Sequence, residues 1–165
     1  MNTLGSRAAT NVIQMLLGPT GINSGLASLT APDNQMIAPV DNGHIYGQNV
    51  SADLAERSTT TKYPSVYVYC EKIANTLTEK FRSFSGSLLM AIDVRHSQDR
   101  LDGLQNAVEL YVDSITQVLT GGRGDWGNGL YYSGGYDVTL GAVKRGGKNF
   151  VQAAKITFRI EASRN

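Results

Sequence analysis

The stretch from Ser97 to Leu119 narrows what this 165-residue chain can become more than any other. Leu101, Leu104, Val108, Val112, Ile115 and Leu119 recur at spacings of three and four, which sets them on one stripe of an α-helix. Ser97 stands where an N-cap is needed and Asp99 complements the positive end of the helix dipole. A helix is therefore predicted over 98–119, terminated by Gly121-Gly122. Burying six such side chains contributes roughly 9–18 kcal/mol gross, at about 1.5–3 kcal/mol each, so the stripe must lie on another apolar surface.

The flanking sequence offers that surface as strands. Pro64 opens a strand in which Val66, Val68 and Cys70 point one way and Tyr67 and Tyr69 the other. Residues 71–84 fit either a helix or a long connection. From Ser87 to Arg95, Leu88, Met90, Ile92 and Val94 alternate with Leu89, Ala91 and Asp93. Beyond the helix, 121–129 reads as a glycine-rich loop, Leu130–Ser133 and Tyr136–Val143 as strand, and Gly146-Gly147 as a hairpin turn. In the closing strand, Phe150–Ala162, Ala154, Ile156, Phe158, Ile160 and Ala162 share one face, and Lys155, Arg159 and Glu161 the other. One greasy and one polar face imply an antiparallel sheet covered on a single side. The expected fold is α+β, an antiparallel sheet with a long amphipathic helix packed on one face, plus an N-terminal helical and irregular extension.

That extension is residues 1–62, set against a core of 63–165. Leu4, Ala8, Val12, Met15 and Leu16 predict a helix over 3–17 that Gly18-Pro19 stops. A second helix is expected over Asn23–Leu29 with Asn23 as its cap, and one or two turns begin at Ser51. Between them, residues 30–48 are rich in Pro, Asn, Asp and Gly and read as an irregular arm, lying on a partner or loosely packed.

Composition excludes several function classes. One cysteine, Cys70, and two histidines, His44 and His96, rule out an internal disulfide and a Cys/His zinc site. Cys70 reads as a small core residue, and the chain fits synthesis in a reducing cytoplasm. The N-terminal residues lack the basic and apolar regions of a secretion signal, and no apolar run approaches the roughly 18 residues of a membrane span. With 18% charged residues and a formal net charge of +1, the chain is poorly guarded against association, and no membrane partner is expected.

The motifs that invite chemistry fail on context. Gly122-Arg123-Gly124-Asp125-Trp126-Gly127 matches G-x-G-x-x-G but follows a helix and leads to a strand, the reverse of a dinucleotide site. Its Arg123-Gly124-Asp125 tripeptide resembles integrin ligands only by chance. Gly18–Gly25 has no lysine to serve a phosphate loop, and Asn49-Val50-Ser51 is a glycosylation sequon only in a secreted protein. His96 near Asp93 and Asp99 reads as a turn residue rather than a general base, and His44 has no partner nearby in sequence. No catalytic residue, cofactor or metal ligand is assigned.

Assembly is better served. Residues 140–165 hold Lys144, Arg145, Lys148, Lys155, Arg159 and Arg164 against Glu161, a balance of +5 that leaves −4 for the remainder. This basic set is either a solvated face or one that meets an acidic patch on a neighbouring subunit or lines a DNA passage. Loop 121–129 carries five glycines around Trp126, which an ordering contact would bury. The candidate assembly contacts are Arg123, Asp125, Trp126, Tyr131, Lys144, Arg145 and Lys148.

From Tyr63 onward the chain resembles the tail terminator proteins of long-tailed bacteriophages. The matching features are the Tyr63-Pro64 strand entry, Ile92-Asp93-Val94, the Ser97-Gln98-Asp99 helix start with its run to Leu119, Gly124-Asp125-Trp126-Gly127, Gly135-Tyr136, and the strand Ala153–Ala162. The resemblance implies a virion protein, a hexameric ring that caps the tail tube and joins it to the head. Its partners would be copies of itself, the tail tube protein and head-completion or connector proteins. DNA would pass through the ring without sequence-specific binding, and no cofactor is implied. Another neck or head-completion component is the alternative within the class. A ligand-binding domain or enzyme using Trp126, Tyr131, Tyr132 and Tyr136 is the alternative outside it, and a DNA-binding module lacks any reading motif.

Overall fold

The computed structural model describes residues 3–30, 37–57 and 62–165. Helix α1 (Leu4–Leu17) is capped by Thr3, whose Oγ1 accepts from the Ser6 N–H at 3.3 Å, and buries Leu4, Ala8, Val12 and Leu16. It crosses strand β2 (Ser65–Asn75) so closely that a Cβ on Gly5 would stand 2.7 Å from the Cys70 Cβ. Helix α2 (Ile22–Thr30) follows. Asn23 does not cap it: its side-chain amide donates to the Val40 carbonyl and accepts from the Val40 N–H, both at 2.8 Å. That pair clips the returning arm.

Part of the arm, 31–36, lies outside the described residues. From residue 37 the chain lies on its own domain, with Val40 and Ile45 buried in the main core and Ile37 packed against it. A short 3₁₀ turn at Asn42–His44 leads into β1 (Ile45–Tyr46), which runs parallel to the start of β2, so the sheet is mixed at this edge. Helix α3 (Ala52–Arg57) begins where expected, with Ser51 Oγ accepting from the Leu54 N–H.

Residues 71–75 continue β2 as strand, and a bulge at Glu71 explains why no alternation is visible there. One extra residue moves Lys72 to the face that Tyr67 and Tyr69 use and returns Ile73 to the face of Val66 and Val68. β3 (Phe84–Gln98) pairs β2 on one side and β8 (Asn149–Arg164) on the other, both antiparallel. β3 runs through Ser97, which pairs with Val151, so Ser97 is a ladder residue and not a helix cap. Helix α4 (Leu104–Gly121) starts later, after a turn ending in Gly103 at φ +79°. Leu101 therefore falls outside the helix and is 58% exposed, whereas Leu104, Val108, Val112, Ile115 and Leu119 are buried.

The segment 121–129 is not a free loop. β4 (Gly124–Gly127) and β5 (Leu130–Tyr132) form a hairpin closed by Asn128-Gly129, both at positive φ, as a type I′ turn requires. Strand pairing in 136–143 is confined to β6 (Asp137–Leu140). The last turn is Gly147-Lys148, one residue later than expected, because Gly146 of β7 (Lys144–Gly146) still pairs with Asn149. β5, β6 and β7 line up along β8, giving the order β1-β2-β3-β8-β5-β4 with β6 and β7 also on β8.

Helices α1, α2 and α4 cover one sheet face and share a single core with it. The opposite face is not bare. Tyr67, Tyr69 and Ala91 are buried there beneath Tyr46 and Val50, so the segment after β1 forms a partial second cover.

Candidate assembly surfaces

The expected contact residues form two groups at opposite ends of β8. Arg123, Asp125, Trp126 and Tyr131 sit on or beside the β4–β5 hairpin, which pairs with β8 at Glu161 and Ala162. Lys144 and Arg145 lie on β7 and Lys148 in the turn after it, beside Phe150 and Val151. Ten residues of strand separate Val151 from Glu161, about 33 Å at 3.3 Å per residue. The two groups are therefore separate surfaces.

Within the hairpin, Trp126 faces inward. Its Nε1 donates to the Gly122 carbonyl at 2.7 Å, and its ring meets Tyr132 at 5.7 Å, which in turn meets Phe158 edge-on at 5.4 Å. Tyr132 is wholly buried, and burial raises its pKa. Asp125 Oδ1 accepts from the Gly127 N–H at 2.8 Å and steadies the bulged strand. Arg123, Asp125 and Tyr131 are exposed. Tyr131 pairs with Glu161, on the sheet face away from the helices.

Beside Trp126, the ends of α1 and α4 leave an open groove of about 540 Å³, lined by Met15, Pro19, Val118, Gly122 and Trp126 among others. Of the aromatics considered together in sequence, only Trp126 reaches this groove; Tyr136 lies at a separate depression beside Asp137 and Arg159.

The polar sheet face is occupied by its own network. Lys155 pairs with Glu71, and this bond raises the lysine's pKa. Tyr69 donates to Asp93 Oδ2 at 3.1 Å, and Asp93 also faces the Arg95 Nη2 at 3.5 Å. Arg159 meets the Ser87 hydroxyl. Lys144, Arg145 and Lys148 remain exposed at the far end, so the basic set is split between network and surface.

His96 lies inside β3, paired with Gln152, with its ring edge-on to Tyr111 at 5.3 Å. Burial lowers its pKa. Among the described residues no three His, Cys, Asp or Glu side chains are placed to hold a metal ion, and no helix is long and apolar enough to cross a membrane.

Sequence reasoning missed the β2–β3 hairpin tip. Phe81 is fully exposed there and Leu77 largely so, both at positive φ. The tip is nonetheless braced: Asn75 Oδ1 accepts from the Leu77 and Ser85 N–H groups, Ser85 Oγ accepts from the Glu79 N–H, and Glu79 pairs with Arg82. The braced turn thus holds two apolar side chains in water. The signal was the isolated Leu77 and Phe81 in a polar stretch, hidden by the unresolved strand assignment around them.

No protein-family model matches the chain, and no curated protein matches it either. Among solved structures it is similar to a chain of the virion of the native gene transfer agent particle, with a TM-score of 0.51 and 15% identity. The match covers 96% of this chain and 95% of that one. At this identity the likeness is one of fold, and it extends through the N-terminal helices as well as the sheet.

Proposed function

We propose that this chain is a virion structural protein, a tail terminator that assembles as a ring, caps the phage tail tube and joins it to the head. The observation that carries this reading is the fold shared, nearly end to end, with a chain of a virion particle. The surface is consistent with it. Near-zero net charge, an exposed basic end at Lys144, Arg145 and Lys148, and bare apolar residues at Leu77 and Phe81 suit a protein with neighbours. The ring would be a hexamer in the neck of the virion, with the tail tube on one side, connector proteins on the other, and DNA passing through unread. No residue is assigned a catalytic role.

Another neck or head-completion connector is the nearest alternative. A ligand-binding domain has one observation in its favour, the groove beside Trp126. Native mass spectrometry and negative-stain imaging of the purified chain, alone and mixed with tail tubes, test the proposal. Sixfold rings seated at tube ends are the expected result. A ring that binds connector but never tubes would move the chain to another neck position, and a stable monomer with a ligand in the groove would overturn the ring.

A further inference from the structure

Two stretches of strand carry an open edge, and they are complementary. β2 is paired by β1 at Val66 and Tyr67, so residues 72–75 have a strand partner on the β3 side alone among the described residues. At the other side of the sheet, β6 pairs with β8 and with nothing else among the described residues. Other edges are guarded. β7 bears exposed Lys144 and Arg145, and β4 is bulged at Trp126. The two open stretches carry one charge each, Asp137 on β6 and Lys72 on β2, of opposite sign, and on β6 Val138 and Leu140 are 39% and 42% exposed.

We infer that the ring contact, on the assembly reading above, is a strand-to-strand junction in which β6 of one copy pairs with residues 72–75 of the next. Direction fits. β2 is antiparallel to β3, β3 to β8 and β8 to β6, so β2 and β6 run oppositely. Placing one copy's β6 beside the next copy's β2 continues the antiparallel alternation without inverting either subunit.

Side-chain parity fits too. Val138 and Leu140 lie opposite Ile156 and Ala154, on the helix-bearing face of β8. Ile73 lies opposite Leu88 on the same face of β3 and is 53% exposed. Directly paired residues share a face, so joining the edges with Ile73 opposite Val138 or Leu140 gathers all three into one apolar strip. On the other face, Lys72 comes opposite Thr139 in the first register, with Asp137 its diagonal neighbour, and opposite Gly141 in the second, with Thr139 diagonal. Opposite charges meet in the first register, and like charges are paired in neither.

The two edges are different patches of one chain, so the junction is heterologous. Repeated by a rotation that closes, such a contact builds a ring rather than a two-fold dimer. The bulge at Glu71 is what makes this possible. Without it, Lys72 rather than Ile73 would face the apolar strip.

Cysteine cross-linking tests the junction, in a Cys70→Ser background so that only introduced thiols react. One chain carries Ile73→Cys with Val138→Cys, a second Ile73→Cys with Leu140→Cys, covering both registers. Paired residues across antiparallel strands stand about 4.5–5.5 Å apart at Cα, within disulfide reach. The positions are exposed, and circular dichroism checks that folding is retained. Mild oxidation of one double variant should give a ladder of covalent oligomers ending at the ring size, while each single variant stays monomeric under denaturing conditions. Rings in native mass spectra with no ladder from either double variant would overturn the junction and leave the ring standing. Covalent dimers from Val138→Cys alone would also overturn it, showing a two-fold β6 contact. A wild-type chain monomeric at every concentration, with no ladder, would remove both ring and junction.

Discussion

The hydroxyl of Ser114 donates a 2.6 Å hydrogen bond to the carbonyl of Ile22, which lies 92 residues earlier in the chain. This buried bond joins α4 to the first turn of α2. It is possible because Gly25 leaves room: a Cβ there would stand 2.4 Å from the Ser114 Oγ. Gly25→Ala should therefore force the hydroxyl off its acceptor and cost about 1–3 kcal/mol. Ser114→Ala should cost about 1 kcal/mol. Because one change removes the atom the other strikes, the double variant should lose less than the sum. Urea denaturation of the four proteins measures the coupling.

Leu104 and Leu101 separate the true helix from the expected one. Leu104 is fully buried, so Leu104→Asp places an unpaired charge in the core and should abolish soluble expression. Leu101→Asp, at an exposed turn position, should change stability by no more than about 0.5 kcal/mol. Matching losses of soluble yield for the two variants would show that the helix begins at Ser97 after all.

The sequence made the layer structure legible because its longest elements are strongly periodic. The α4 stripe from Leu104 to Leu119, the Leu88–Val94 alternation and the Ala154–Ala162 face all lie where their spacing places them. What it hid follows from local competition. Ser97 has a cap's chemistry, yet ladder bonds to β8 claim its backbone. The Glu71 bulge breaks the period of two, which obscured five residues of β2. Asn128-Gly129 is a strong hairpin signal that the surrounding glycines masked. Of the site, residue types and exposure at Lys144, Arg145 and Lys148 were readable. The open edges of β2 and β6 were not, since an edge is a property of the assembled sheet.

Trp126 is half-buried against its own domain, so its first role is structural. Trp126→Ala removes the contact with Tyr132 and the bond to Gly122, and should cost about 2–3 kcal/mol, below the roughly 3–5 kcal/mol of a fully buried ring. Trp126→Phe keeps a ring and should lose about 1 kcal/mol. Denaturation followed by circular dichroism measures both. Contacts of this hairpin with the tail tube should come instead from the exposed Arg123 and Tyr131: their alanine variants should fold and form rings normally but seat on tubes more weakly.

His96 gives the fold a pH dependence of definite sign. Burial lowers its pKa below the ordinary 6.5, so the unfolded chain binds a proton that the folded chain resists. Stability from this group is full above the unfolded value and declines as pH falls through it, with a slope of at most about 1.4 kcal/mol per pH unit. Between pH 7.5 and 5.5 the wild type should lose stability, and His96→Gln should show a shallower loss. Urea midpoints across that range decide; identical slopes would show that His96 titrates freely in the fold.

Arg95 holds the segment after β1 against the sheet. Its guanidinium donates to the Val50 carbonyl, faces Asp93 at 3.5 Å and lies over the Tyr67 ring at 4.3 Å, with the side chain almost wholly buried. Replacing it with Ala strands the Asp93 carboxylate and unfastens Val50, and removal of one partner from a buried ion pair costs about 3–5 kcal/mol. Asp93 is also bonded by Tyr69, which softens that loss, so about 3 kcal/mol is expected. Limited proteolysis reads the local consequence. Wild type should resist cleavage at 40–46, where Val40 and Ile45 are buried, and Arg95→Ala should open new sites between Gly47 and Ala52 before the rest of the domain is cut. A variant that unfolds as a whole with no early cuts there would show that Arg95 serves the sheet and not the segment that covers it.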